Sequence, residues 1–148
     1  MPATAESGTR TQLQTIALAN GIAAGRAVLG VYDLYAAGQE ALFANLVASG
    51  PLLAIGPAFW SGFESDPPLA TFGVECHLLF GFAGDAHYTF TAIEDVHFAL
   101  LDAFANPAKW SARAPPVSVT SDKPRLLRQK PLVGEYTFTL NFKRGIAC

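Results

Sequence analysis

The sequence predicts an α+β domain, a two-layer sandwich in which a long helix packs on an antiparallel or mixed sheet behind an N-terminal helical part, in the order α-α-β-β-α-β-β. Three stretches carry that reading. In the first, Phe72, Val74, Cys76, Leu78, Phe80 and Phe82 alternate with Thr71, Gly73, Glu75 and His77, the two-residue period of a strand with one buried face. In the second, Ile93, Val96, Leu100, Leu101 and Phe104 recur at helical spacing. In the third, Tyr136, Phe138, Leu140 and Phe142 point one way, while Glu135, Thr137, Thr139, Asn141 and Lys143 point the other.

The 148 residues read as a single domain, 1–148, with no linker rich enough to divide it. Residues 1–8 are small and polar without periodicity, as in a flexible N-terminal tail. From Thr9 a helix places Leu13, Ile16, Ala17, Asn20, Ala24 and Ala27 on one face, with Gly21 and Gly25 four apart along it. Asp33 reads as the N-cap of a second helix running to Ala48, which Gly50-Pro51 ends. Residues 52–60 are apolar but broken by Gly56-Pro57, as in an edge or bulged strand. Residues 64–68 and Gly84-Asp85 are turns on either side of the long strand. Thr91 and Glu94 have the capping-box spacing for the start of the long helix, which stops before Pro107. Pro115-Pro116 leads into a short strand over 117–120, and a basic connection leads into the last strand.

Composition narrows the function. The chain is 51% hydrophobic and 15% charged, enough apolar material for a core and too much for a disordered chain. Cys76 and Cys148 make neither a disulfide framework nor a zinc-ligand spacing. A net charge of −2 argues against generic binding to nucleic acid or anionic membrane by the whole surface. The most apolar early stretch, 16–34, contains Asn20, Arg26 and Asp33. One central Arg costs an inserted helix roughly 2.5–3.5 kcal/mol, more than its alanines return. Glu6 and Arg10 cancel where a secretory leader would be basic, so the expectation is no membrane and a place inside the cell.

No sequence pattern announces catalysis. GxSxG, P-loop, HExxH and EF-hand patterns do not occur. Cys76, on the apolar face of a strand, reads as a small hydrophobe. Glu94 and His97 form one Glu-x-x-His, a unit that carboxylate-bridged di-iron sites use twice; a metal-dependent enzyme would rest on it, and the plainer reading is a cap and a stripe residue. The expectation is therefore no enzyme, with no catalytic residue, cofactor or metal.

Charge is segregated along the chain. Residues 1–108 hold ten acidic and two basic side chains, net −8; residues 109–148 hold eight basic and two acidic, net +6. The densest basic run contains Lys123, Arg125, Arg128 and Lys130. It reads either as a solvated connection or as a basic surface that meets an acidic neighbour or lines a passage for DNA. It has no aromatic residue on which a single-stranded base would stack. Phe59, Trp60 and Phe63 flank a Gly/Ser turn, and Trp110 follows Pro107; such residues serve as core lids or as interface anchors.

The strand FGVECHLLFGF, the helix TAIEDVHFALLDAF, and the pair VSVTSD and GEYTFTLNFK with its basic connection cover about half of the chain. Their pattern resembles the tail terminator and tail-completion, or head–tail joining, proteins of long-tailed bacteriophages. The N-terminal part, with two predicted helices in 9–49, is longer than that pattern. The resemblance implies a small α/β sandwich that forms a homo-oligomeric ring, often a hexamer. Such a ring caps the tail tube, stops its growth and joins the tail to the neck and connector proteins, without enzymatic activity or cofactor. The subunit would then be a virion protein assembled in the host cytoplasm. Lys123, Arg125, Arg128 and Lys130 would face the lumen, touching genomic DNA non-specifically, or an adjoining ring. Phe59 and Trp60 would lie at subunit contacts. The alternative is a small domain that binds an apolar ligand between the long helix and Phe72, Phe80, Phe82, Phe138 and Phe142.

Overall fold

The long strands and the long helix form where their periodicity puts them, and everything else is arranged around one late strand. The computed structural model describes residues 5–30, 38–66, 68–82, 86–110, 115–129 and 132–145. In chain order the elements are α1 (Ala5–Ala19), β1 (Ala27–Leu29), α2 (Gln39–Ser49), β2 (Leu52–Ser65), β3 (Pro68–Phe82), α3 (Ala86–Ala105), a 3-10 turn (Pro107–Lys109), β4 (Ser118–Ser121), β5 (Arg125–Arg128) and β6 (Leu132–Gly145). The fold is mixed α/β. Its six-stranded sheet runs β1-β2-β3-β6-β4, with β5 also on β6; every pairing is antiparallel except that of β1 with β2.

The alternating residues do what their period requires. Phe72, Val74 and Cys76 of β3 lie opposite Phe142, Leu140 and Phe138 of β6, and all six are fully buried. Leu13, Ile16 and Ala17 of α1 and Ile93, Leu100, Ala103 and Phe104 of α3 close over that face. At about 1.5–3 kcal/mol for each large apolar side chain removed from water, this cluster is the main source of stability.

The structure changes the predicted order and layering. Two further strands, β1 and β5, bring the sheet to six. Helix α2 packs on the other sheet face, where Leu42, Phe43 and Leu46 cover Leu52, Ala54, Leu79 and Val133. Helices therefore lie on both faces of the sheet, with α2 over one end of it. The basic connection is itself partly a strand, β5.

Several boundaries also move. Helix α1 ends at Ala19, not near Ala27: Gly21 takes φ +113, and the Ile22 amide donates to the Ala17 carbonyl at 3.2 Å, a glycine-dependent helix stop with Ile22 buried beneath it. The glycine pair thus ends a helix and frees the chain to enter β1. The tail expected over 1–8 is helical from Ala5, and residues 1–4 lie outside the described residues. The N-cap expected at Asp33 also lies outside them; α2 starts at Gln39 after Gly38 at φ +95. Helix α3 starts at Ala86, which puts Thr91 and Glu94 inside the helix, away from the expected capping position. Among the described residues no helix is long and apolar enough to cross a membrane. Arg26, the charge that argued against insertion, bonds the Gly50 carbonyl at 2.8 Å and so ties the entry to β1 to the exit from α2.

Candidate assembly surfaces

Of the four basic residues singled out, the structure gathers two onto one strand and turns both toward the chain's own acids. In β5, Arg125 lies opposite Glu135 and Leu126 opposite Gly134, and a register shift then places Arg128 opposite Val133. Arg125 Nη2 is 2.7 Å from Glu135 Oε1. Arg128 donates from both terminal nitrogens to Glu40 of α2, one bond measuring 2.8 Å, and its guanidinium lies 4.8 Å from the centre of the Phe43 ring. Lys123 is exposed, and Lys130 lies outside the described residues. Reversing the charge of Arg125 or Arg128 therefore strikes the fold as well as any partner.

Glu135 points to the predicted face but is not solvated: it is only 5% exposed. Besides Arg125 it faces His77, whose Nδ1 is 3.6 Å from its Oε2. His77 Nε2 is 2.9 Å from Glu75 Oε1, and the Thr137 hydroxyl is 3.4 Å from Nδ1. The facing Glu135 carboxylate raises the His77 pKa against the effect of burial, and the facing imidazole holds the Glu135 carboxyl below its ordinary range.

The pH dependence follows from those directions. The His77 contribution is complete below its ordinary pKa near 6.5 and is lost as pH rises through the raised folded value. The Glu135 contribution is present above about 4.5 and is lost as pH falls through the lowered folded value. His97, pushed down by burial, has the opposite sign to His77 and costs stability as pH falls below about 6.5. The comparison that isolates His77 is wild type against His77→Gln. Their difference in unfolding midpoint is expected to be largest between pH 4.5 and 6.5 and to shrink above that window. A difference constant from pH 5 to 9 would contradict the assignment.

The aromatic residues singled out lie on the far half of β2. This strand pairs with β1 only at Leu53, Ala54 and Ile55, and register shifts interrupt its pairing with β3 at Ile55/Ala58 and Trp60/Gly62. Beyond Ile55 its outer edge has no strand beside it among the described residues. Phe59 lies across Gly73 on the face away from α1 and α3; a Cβ at Gly73 would run into its ring, so the glycine makes the seat. Trp60, on the other face, stacks on Phe63 at 5.6 Å and leans on buried Phe72 at 5.0 Å. Phe72 stacks on Phe142, and Trp110 meets Phe142 edge-on at 5.6 Å. Trp110 is a core lid, its indole N–H donating to the Phe104 carbonyl at 2.9 Å. Phe59 and Trp60 stand half-exposed, and Phe63 is 68% exposed. The row of rings runs from the core to the open edge.

The remaining candidates are structural in their contacts. The His97 ring lies 3.8 Å from Tyr136, nearly parallel to it, and its Nε2 is 2.9 Å from the Ser121 hydroxyl. Glu94 is exposed, and among the described residues no three His, Cys, Asp or Glu side chains converge as a metal site. Cys76 is fully buried, and burial pushes its thiol pKa far up, away from reactivity. No known protein family and no curated protein matches this sequence. Fold and surface together define a mixed α/β structure that pairs Arg125 and Arg128 with its own Glu135 and Glu40 and collects exposed aromatic bulk at one sheet edge.

Proposed function

We propose that this chain is a structural assembly subunit, a ring-forming protein of the head–tail neck of long-tailed phages that terminates the tail tube and joins tail to head. The observation that carries the reading is the far half of β2, an open strand edge with Phe59, Trp60 and Phe63 exposed on it. An apolar patch on an unpaired edge is a surface that a partner covers, and its two register shifts and flanking Glu64 and Asp66 guard it against indiscriminate pairing. The charge split supports contact between unlike surfaces, the arrangement that closes rings. The partners are other copies of the chain, the tail tube and the neck proteins. With Arg125 and Arg128 held by Glu135 and Glu40, non-specific contact with DNA in the lumen falls to Lys123 and Lys130. The ligand-binding alternative has no observation in its favour, since Phe72, Phe80, Phe138 and Phe142 pack into the core.

The test is the absolute mass in solution by light scattering over a range of concentration and salt, alone and with purified tail tubes. The expected result is a discrete species of about five to seven subunits, weakened by salt. A Trp60→Ser/Phe63→Ser double variant is expected to remain folded and to lose that species. A 15.7 kDa monomer under every condition, with no binding to tail tubes, would overturn the reading.

A further inference from the structure

Helix α1 stops on Asn20-Gly21, and the way it stops leaves the junction between these two residues open to chemistry. Asn20 lies just past the helix end at Ala19. The Ala17 carbonyl accepts from the Asn20 amide at 3.1 Å and from the Ile22 amide at 3.2 Å. The Gly21 amide between them has no acceptor among the described residues, and Gly21 is exposed. The Asn20 side chain bends back, its Nδ2 donating to the Ile16 carbonyl at 2.7 Å.

An asparagine followed by glycine holds an electrophile and a nucleophile side by side. The side-chain Cγ and the next backbone nitrogen close a five-membered ring, and glycine has no Cβ to crowd the closure. A backbone N–H outside any ladder also gives up its proton more readily than one held in a helix or sheet. The chain has four asparagines, and only Asn20 combines these conditions. Asn45 is inside α2 and is followed by Leu46. Asn141 is inside β6, paired on both sides, and is followed by Phe142. Asn106 precedes Pro107, whose nitrogen carries no proton. No Asp-Gly pair occurs in the sequence.

We infer that Asn20 is a site of spontaneous covalent modification in the folded protein, converted by its own Gly21 nitrogen to isoaspartate and aspartate. The Gly21 nitrogen gives up its proton and bonds to Asn20 Cγ. The Cγ–Nδ2 bond breaks, and Nδ2 leaves as ammonia with that proton added, closing a succinimide. Water then opens the ring. Attack at Cγ gives aspartate; attack at the Asn20 backbone carbonyl carbon gives isoaspartate, in which the main chain runs through the former side chain. Neither product can donate to the Ile16 carbonyl as the amide did. Each places a negative charge at the C-terminal end of α1, whose last turn has no basic residue to answer it. In isoaspartate the backbone also gains a methylene ahead of buried Ile22. Gln14 Nε2 holds α1 to the Ala27 carbonyl of β1 at 2.7 Å, so the added length falls between two anchored segments. The inference is independent of the assembly reading.

The experiment holds the full chain folded at 37 °C and pH 8 and digests samples with trypsin at intervals. Asn20 falls in the peptide released between Arg10 and Arg26. That peptide is expected to gain about 1 Da and to split into two chromatographic forms. One of them is expected to accept a methyl group from an isoaspartyl methyltransferase supplied with S-adenosylmethionine. The peptides carrying Asn45, Asn106 and Asn141 are expected to stay unchanged over the same period. Asn20→Gln, whose longer side chain would have to close a six-membered ring, is expected to abolish the change. Modification of Asn45 or Asn141 at the same rate overturns the inference, and so does a change at Asn20 that occurs only when urea unfolds the chain. Asn20→Asp, made directly, is expected to unfold at a lower temperature than wild type. A wild-type midpoint there keeps the site and overturns its consequence for α1.

Discussion

Phe104→Ala is expected to lower stability by about 3–5 kcal/mol, a large share of the roughly 5–15 kcal/mol that holds a domain of this kind together. Phe104 is fully buried and meets Phe138 edge-on, with ring centres 6.3 Å apart. Its carbonyl accepts the Trp110 indole N–H, so the cavity opens where α3, β6 and the Pro107–Lys109 turn come together. Trp110 loses a neighbour at the same time, which limits how far the site can collapse. The midpoint of thermal unfolding should fall by on the order of 10 °C, and urea titration should give the free energy directly. A loss below about 1 kcal/mol would mean that the core repacks around the gap. Phe98, six positions earlier on the same helix, makes the internal control: truncation there is expected to leave stability within about 0.5 kcal/mol of wild type.

The second large effect belongs to Glu135. Replacement by alanine leaves His77 beside Glu75 alone and frees Arg125 from its contact at β6. Because the Arg125 side chain is largely exposed, water recovers part of that interaction, and the expected loss is about 2–3 kcal/mol rather than the full cost of a buried ion pair. Glu135→Gln keeps the shape but not the charge and is expected to fall between alanine and wild type. Urea unfolding near pH 6, where His77 and Glu135 are both favourably charged, is the measurement. Identical stability of the three proteins there would show that the cluster carries no net interaction.

The sequence is most legible where one period runs long enough to identify a face. Residues 72–82 and 136–142 alternate through several cycles, and residues 93–104 keep helical spacing; all three became the central strands and the long helix. Strand β1 is three residues long, too short for any period to show, and it exists because β2 offers an edge at Leu53, Ala54 and Ile55. Strand β5 reads Arg-Leu-Leu-Arg, with no alternation, and is set by pairing to β6. The basic cluster was visible as charge, but its neutralisation was not: Arg128 reaches Glu40 across 88 positions. Glu135 sat at an outward position by alternation alone, and only the fold brings His77 and Arg125 over it. Phe98 falls off the buried stripe of its helix by spacing alone, and it is exposed in the structure.

Strand β6 has a further consequence, in the timing of folding. It is the partner of β3, β4 and β5 at once, and in the chain it follows all three. Until residues 132–145 are available, β3 keeps one bare edge along its whole length, and the short β4 and β5 have only each other's neighbourhood and no ladder to join. During synthesis the β2–β3 hairpin, with its exposed aromatic rings, therefore waits in a state prone to pair with other strands. The closure of the intervening segment is paid once, when β6 docks, and the gain comes back in three ladders together. A nascent chain cut short before β6 would hold only the β1-β2-β3 half of the sheet, so the release of residues 132–145 is the step that completes it.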